Sequence, residues 1–148
     1  MNMPTLIEAH KDQLTISSDP QRLDLDAICG LLGGVFWAND RSRAVIQTSL
    51  EHSLVFGVYD GQEQVGMARV ISDFATFAWV DDVIVREDHR GQGIGKWLMK
   101  TILAHPDLQN LHRWALVTRD AHGLYRQVGF TPLNKPERWM EILDPDVH

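Results

Sequence analysis

The segment Arg90-Gly91-Gln92-Gly93-Ile94-Gly95-Lys96 constrains this chain more than any other. It follows an apolar stretch, Phe77 to Val85, whose β-branched and aromatic content reads as a strand buried on both faces. It opens a helix predicted from about Gly93 to Ala104, in which Ile94, Trp97, Leu98, Thr101 and Ile102 share one face. Pro106 stops that helix. A glycine turn in this position lets backbone N–H groups approach phosphate oxygens at the positive end of the helix dipole. Arg90 and Lys96 add charge-assisted contacts, and Arg86 lies close by. Two nucleotide loops are excluded by spacing. A Walker A loop fails because Arg90 stands at its first glycine position and Trp97 at its hydroxyl position. A dinucleotide fingerprint fails because Gly91, Gly93 and Gly95 are spaced by two throughout. A turn with no ligand rarely needs three glycines with cations beside them.

Composition narrows the class of ligand. The 148 residues fit one domain, 1–148, with a core at about 12–143. A net charge of -6 argues against a nucleic-acid partner, which would require a basic surface. An acidic body with one basic notch suits a small anionic ligand, and its field favours a cationic co-substrate such as an amine. The single cysteine, Cys29, allows no intramolecular disulfide, and its apolar neighbours Ile28, Leu31 and Leu32 mark a buried, inert thiol. Met1 to His10 lacks the order of a signal peptide. No run reaches the roughly 18 apolar residues of a membrane span. The expectation is a cytoplasmic protein with no membrane partner. The 7 histidines form no close metal-ligand spacing, so no metal is expected. His89 and His122, on either side of the proposed ligand site, are read as solvated or turn residues.

The remaining pattern is a mixed α/β order. Gln13–Ser17 alternates and reads as a first strand. A helix is predicted from Asp24 to about Asn39, weakened by Gly33-Gly34 near its end, and a second from Asp40 to His52 with Asp40 as its N-cap. Strands at Leu54–Tyr59 and Gln64–Ile71 flank an Asp60-Gly61 hairpin turn. After the long helix come a buried strand at Trp114–Thr118, a short helix near Ala121–Val128 capped by Gly129, and two short strands between Phe130 and Leu143. This is an α/β (α+β) chain around one mixed, mostly antiparallel central sheet flanked by helices.

Val83-Ile84-Val85-Arg86-Glu87-Asp88-His89-Arg90-Gly91-Gln92-Gly93-Ile94-Gly95 resembles the strand and pyrophosphate loop of the GCN5-related N-acetyltransferases. That family's loop, Gln/Arg-x-x-Gly-x-Gly/Ala, is matched by Arg90, Gly93 and Gly95. A second block, Ala121-x-x-Leu124-Tyr125-x-x-x-Gly129-Phe130, is similar to another of the family's motifs. The resemblance covers the chain from Leu14 to about Ile142. Glu87 stands where the family often has Pro, and Thr118 where it often has Asn; Thr118 can still donate and accept a hydrogen bond.

The resemblance implies the acyl-CoA N-acyltransferase fold, acetyl-CoA as donor co-substrate, and transfer to a primary amine of a small molecule or peptide. In that fold the strand carrying Val83 and Val85 splays from the one at Trp114–Thr118 and opens a wedge for the pantetheine arm. Backbone at Val83, Ile84 and Val85, the turn Arg90, Gly91, Gln92, Gly93, Ile94, Gly95 and Lys96, and Thr118 would then hold the donor. Tyr125 matches the family's general acid, although Ala121, Leu124, Tyr125 and Val128 also follow core spacing. For the base, Asp81 and Asp82 lie in an apolar strand, where a carboxylate needs a partner or a wet cleft. Asp82 acting through water is preferred, and both stay open, as does pairing with Arg69 or Arg119. A bulge, usual in the family, would alter which face each occupies. Phe36, Trp37, Phe74 and Trp79 are candidates to line the acceptor pocket, with Trp139-Met140 a weaker one. A non-catalytic acyl-CoA-binding module is the alternative reading, and a homodimer is one assembly state left open.

Overall fold

A polar hairpin starts the sheet: β1 (Glu8–Lys11) pairs with β2 (Leu14–Ser17) across a turn in which Asp12 has φ 55°. The structure, a computed structural model, describes residues 3–35 and 38–147. After β2 come helices α1 (Leu25–Gly33) and α2 (Arg43–Glu51), then strands β3 (Leu54–Asp60), β4 (Glu63–Ser72) and β5 (Phe77–Val85). Helix α3 (Ile94–Leu103), strand β6 (Arg113–Ala115) and helix α4 (His122–Gln127) complete the elements. The six strands form one sheet in chain order, antiparallel except for the parallel β5–β6 pair.

The sheet buries both faces. On one side Phe56, Val58, Val70, Ala78 and Val80 meet Ile94, Leu98, Met99 and Ile102 of α3. On the other, Val55, Met67 and Ile84 meet Ile28, Leu31 and Leu32 of α1 and Ile46 of α2. Each of these side chains other than Ala78 contributes about 1.5–3 kcal/mol. Gly57 admits close packing here. A Cβ on it would lie 2.6–2.7 Å from carbons of the Tyr59 ring, so no larger residue fits.

Sequence expectation and structure differ at several points. β1 was not anticipated. The Asp24 cap holds, its Oδ1 accepting from the Ala27 N–H at 3.1 Å, but α1 stops at Gly33. The second helix is capped by Ser42 rather than Asp40, with Ser42 Oγ accepting from the Val45 N–H at 3.2 Å. Asp60 pairs with Glu63, which moves the hairpin turn to Gly61-Gln62, and Gly61 takes φ 60°. β5 is not buried on both faces throughout; its residues alternate between buried and half-buried. β6 ends at Ala115 because β5 offers it no partner beyond Trp79. The two strands expected between Phe130 and Leu143 are absent. A single 3-10 turn at Pro136–Arg138 interrupts an exposed segment that no strand edge accepts.

Candidate active site

β5 and β6 pair only at Phe77–Arg113, Ala78–Trp114 and Trp79–Ala115. Beyond Trp79 the β6 side of β5 is open. The Arg86 N–H donates to the Val65 carbonyl at 2.7 Å, which fixes residues 86 and 84 as the hydrogen-bonded positions of the β4 ladder. The main-chain groups of Val85, and by the same alternation those of Val83, therefore face the open wedge. Arg90 Nε donates to the Val85 carbonyl at 2.8 Å, tying the turn to the end of the strand. Ile84 braces the wedge from behind: its main chain is on the β4 ladder and its side chain lies in the α1–α2 core.

The turn presents donors. Gly91 and Gly93 have φ 79° and 76°, a conformation side chains oppose, and nothing stands within 4 Å of either Cβ position. Gly93 is the N-cap of α3 and offers no side chain to its first turn. Among the described residues, no acceptor takes the backbone N–H groups from Gly91 to Lys96. Gln92 is exposed and Lys96 half-buried, while the Ile94 side chain is in the core, so only its N–H faces outward. Upstream, Arg86 is held by Glu63 and by both oxygens of Asp88. The His89 ring bridges the acceptors Asp60 Oδ2 at 2.9 Å and Asp88 Oδ1 at 2.7 Å, and the two carboxylates raise its pKa above the ordinary value. The ring thus fastens the turn to the β3–β4 hairpin, a role that sequence did not assign.

The strand carboxylates lie at a bulge. Met67 pairs with Ile84 but Arg69 pairs with Asp81, so Asp82 and Val83 together oppose Ala68, and Asp82 adopts φ 49°. The extra residue puts Asp81 and Asp82 on one side, where both meet Arg69. Asp82 Oδ2 accepts from Arg69 Nε at 2.9 Å and from Arg41 Nη1 at 2.8 Å. Burial pushes this carboxyl up, but the hydrogen bonds and charges of Arg41 and Arg69 outweigh it and hold the pKa below the usual range. Its side chain is 1% exposed. Asp81 is 32% exposed, and its pKa is raised by burial and by the charge of Asp82 against the pull of Arg69. Arg41 is the residue sequence missed; it lies just before α2 and ties that connection to the bulge.

Tyr125 packs edge-on against Phe130, with ring centroids 5.8 Å apart. It borders a cavity of about 460 Å³ shared with Trp114, Ala115, Leu116, Val117 and Thr118. Burial first, and then the charge of Asp81, raise its pKa, so the hydroxyl keeps its proton. Among the described residues no group bonds that hydroxyl. Thr118 Oγ1 accepts from the N–H of Ala121, the residue that precedes α4, at 3.0 Å, leaving the hydroxyl hydrogen to donate elsewhere. Trp79 lies two residues from Asp81 on β5 and opposite Ile71 of β4. Phe74 is in the exposed β4–β5 turn with φ 60°. Phe36 and Trp37 lie outside the described residues.

Comparison with known proteins agrees with this geometry. A family model described as an acetyltransferase (GNAT) domain matches residues 51–132. A Xanthomonas campestris protein assigned to the GNAT family shares 47% identity and a TM-score of 0.86, over 89% of this chain and 94% of that one. A Gibberella zeae protein provisionally described as an acetyltransferase is 30% identical over 131 residues, 74% of each chain. A Clostridium acetobutylicum protein crystallised with acetyl-CoA shares the fold, with a TM-score of 0.61 at 13% identity over 95% of this chain and 96% of that one. With the bulged strand, the open wedge and the glycine turn in their chain order, these matches establish that the chain belongs to the GNAT acetyltransferase family.

Proposed function

We propose that the protein transfers an acetyl group from acetyl-CoA to a primary amine of a small molecule or peptide, directly and within a ternary complex. One observation carries this reading: the edge of β5 at Val83–Val85, unpaired with β6, leads through Arg86–His89 into a turn whose N–H groups, Gly91 to Lys96, meet no acceptor among the described residues. The donor supplies a thioester and a pyrophosphate, which match those two features in order. The pyrophosphate is held by the turn, aided by Lys96 and the free N–H groups of Arg90. The pantetheine arm extends the sheet along Val85, and the Val83 N–H polarises the thioester carbonyl.

The proton inventory then assigns the side chains. An amine must lose a proton to attack, and the departing thiolate gains one. Tyr125 keeps its proton and borders the cavity walled by Trp114–Thr118, so it supplies the second. Asp81 is the better base: it is partly accessible and its pKa is raised, whereas Asp82 is sealed between two guanidinium groups. Asp82 acts as a positioning residue, holding the bulge and Arg41 in place. Trp79 and Ile71, on the same face as Asp81, offer an apolar surface to the acceptor beside its amine.

The alternative is a module that binds acyl-CoA without turning it over. Release of free thiol from acetyl-CoA, measured against a panel of primary amines, separates the two. Acceptor-dependent release supports catalysis. Tight CoA binding with no release for any acceptor overturns it.

A further inference from the structure

One end of the sheet keeps an apolar face that neither core absorbs. Val70, Ala78 and Val80 point into the α3 core, so Ile71, Phe77 and Trp79, which alternate with them, point to the opposite face. On that face α1 and α2 cover Val55, Met67 and Ile84, while Ile71, Phe77 and Trp79 join neither cluster. Ile71 is 43% exposed, and Phe77 and Trp79 are half-buried. Ile71 and Trp79 are cross-strand partners, so their side chains form one continuous shelf. Asp81 lies two residues beyond Trp79 on the same face, about 7 Å along the strand.

The charges along this shelf limit what an acceptor can carry. Arg69 commits Nε, Nη1 and Nη2 to Asp82, Ser53 and Asp81, and Arg41 donates to Asp82. An anionic group on the carbon that bears the amine would meet Asp81 with the Arg69 guanidinium already engaged. Arg113, the register partner of Phe77, stands about 13 Å of strand from Asp81, and its guanidinium lies 5.1 Å from the Trp139 ring. At the turn, Asp73 accepts from the N–H groups of Ala75, Thr76 and Phe77 and from the Thr76 hydroxyl. Its carboxylate is thus occupied in holding the turn rather than a second ammonium. A carboxylate at the inner end and apolar surface outward match a single ammonium followed by an apolar body. We propose that the acceptor is a primary arylalkylamine, with its amine at Asp81, its ring on the Trp79–Ile71 shelf and no charge on the amine-bearing carbon. This assignment rests on the acetyl-transfer reading and adds the acceptor's chemical class to it.

Thiol release from acetyl-CoA by the wild type, with phenylethylamine, phenylalanine, diaminopentane and ethylamine as acceptors, tests it. The kcat/KM for phenylethylamine should exceed that for phenylalanine, which adds only the α-carboxylate, by about 100-fold. It should exceed that for the diamine, which sets a second ammonium on the shelf, by about tenfold. Ethylamine, which lacks the ring, should also fall behind by about tenfold. Trp79→Ala should abolish the preference for phenylethylamine over ethylamine through KM, with circular dichroism confirming that the variant is folded. Phenylalanine, the diamine or ethylamine turned over as efficiently as phenylethylamine overturns the arylalkylamine assignment and leaves acetyl transfer standing. So does a preference that Trp79→Ala leaves intact. Absence of thiol release with every amine overturns the transfer reading, and this assignment with it.

Discussion

Asp81 and Asp82 are neighbours in the chain, yet both turn their carboxylates to Arg69, whose Nη2 donates to the first at 3.1 Å and whose Nε donates to the second at 2.9 Å. A regular strand would send them to opposite faces. The bulge cancels that alternation, and the Asp82 N–H donates to Asp81 Oδ1 at 2.8 Å, fixing the pair. The two carboxyls then diverge, one held ionised by two cations and the other raised and partly exposed. Such a division suits the proposed roles of Asp82 as anchor and Asp81 as base.

Asp81→Asn should lower kcat/KM by about 100-fold, the scale of general-base catalysis. Because burial and the charge of Asp82 raise the Asp81 pKa, the wild-type rate should fall as pH drops through that raised value, at a higher pH than for an ordinary aspartate. The variant should lack this acidic limb in a pH–rate profile. Persistence of the same limb in the variant would remove Asp81 from the mechanism.

Asp82→Ala should act on stability. Removing it leaves Arg69, buried, and Arg41 without their shared counter-charge, which costs about 3–5 kcal/mol. The depressed pKa means that this stabilisation is present above the usual carboxylate value and is lost as pH falls through the folded one. Urea unfolding measures it, and a midpoint equal to wild type would contradict the anchor role.

Tyr125→Phe keeps the ring against Phe130 and removes a hydroxyl that no described residue bonds. Stability should change by less than about 1 kcal/mol, while kcat falls about 100-fold. A variant with the full rate at every pH would rule out the proton-donor assignment.

Gly93→Val forces a β-branched residue into φ 76°, at a strain of about 1–3 kcal/mol. Titration calorimetry should show CoA affinity weakened by about tenfold or more. Unchanged affinity would mean that the turn does not hold the pyrophosphate.

His89→Gln tests the clasp on the turn. A histidine whose pKa is raised stabilises fully below its unfolded value, about 6.5, and loses that contribution as pH rises through the folded value. The wild-type Tm should therefore drop more than that of the variant between about pH 6.5 and the alkaline side of that window. Parallel Tm curves would show that the bridge to Asp60 and Asp88 contributes nothing.

The central part of the fold was legible because its signals are strong and local. The apolar strand at Phe77–Val85, the glycine turn and the α3 periodicity lie within a few residues of their structural limits. β1 was not legible, since Glu8-Ala9-His10-Lys11 is polar and exposed and gains its order only by pairing with β2. The C-terminal segment misled in the opposite direction: Trp139, Met140 and Ile142 carry strand-like chemistry but pair with no strand among the described residues, and the Trp139 ring meets the Arg113 guanidinium instead. At the site, residue types were legible and pairings were not. The sequence places both Asp81 and Asp82 in an apolar strand without separating them; which carboxylate is sealed depends on Arg41, far away in sequence, and on the bulge register. Tertiary charge pairing leaves no local pattern.

Transfer of label from acetyl-CoA carrying a marked acetyl carbonyl carbon tests the central claim most directly. With an accepted primary amine, free thiol and labelled amide should appear in equal amounts, with no label on the protein and a rate that depends on Asp81 and Tyr125. Saturable CoA binding without labelled amide for any amine, or label retained on the protein itself, would contradict direct acetyl transfer at this wedge.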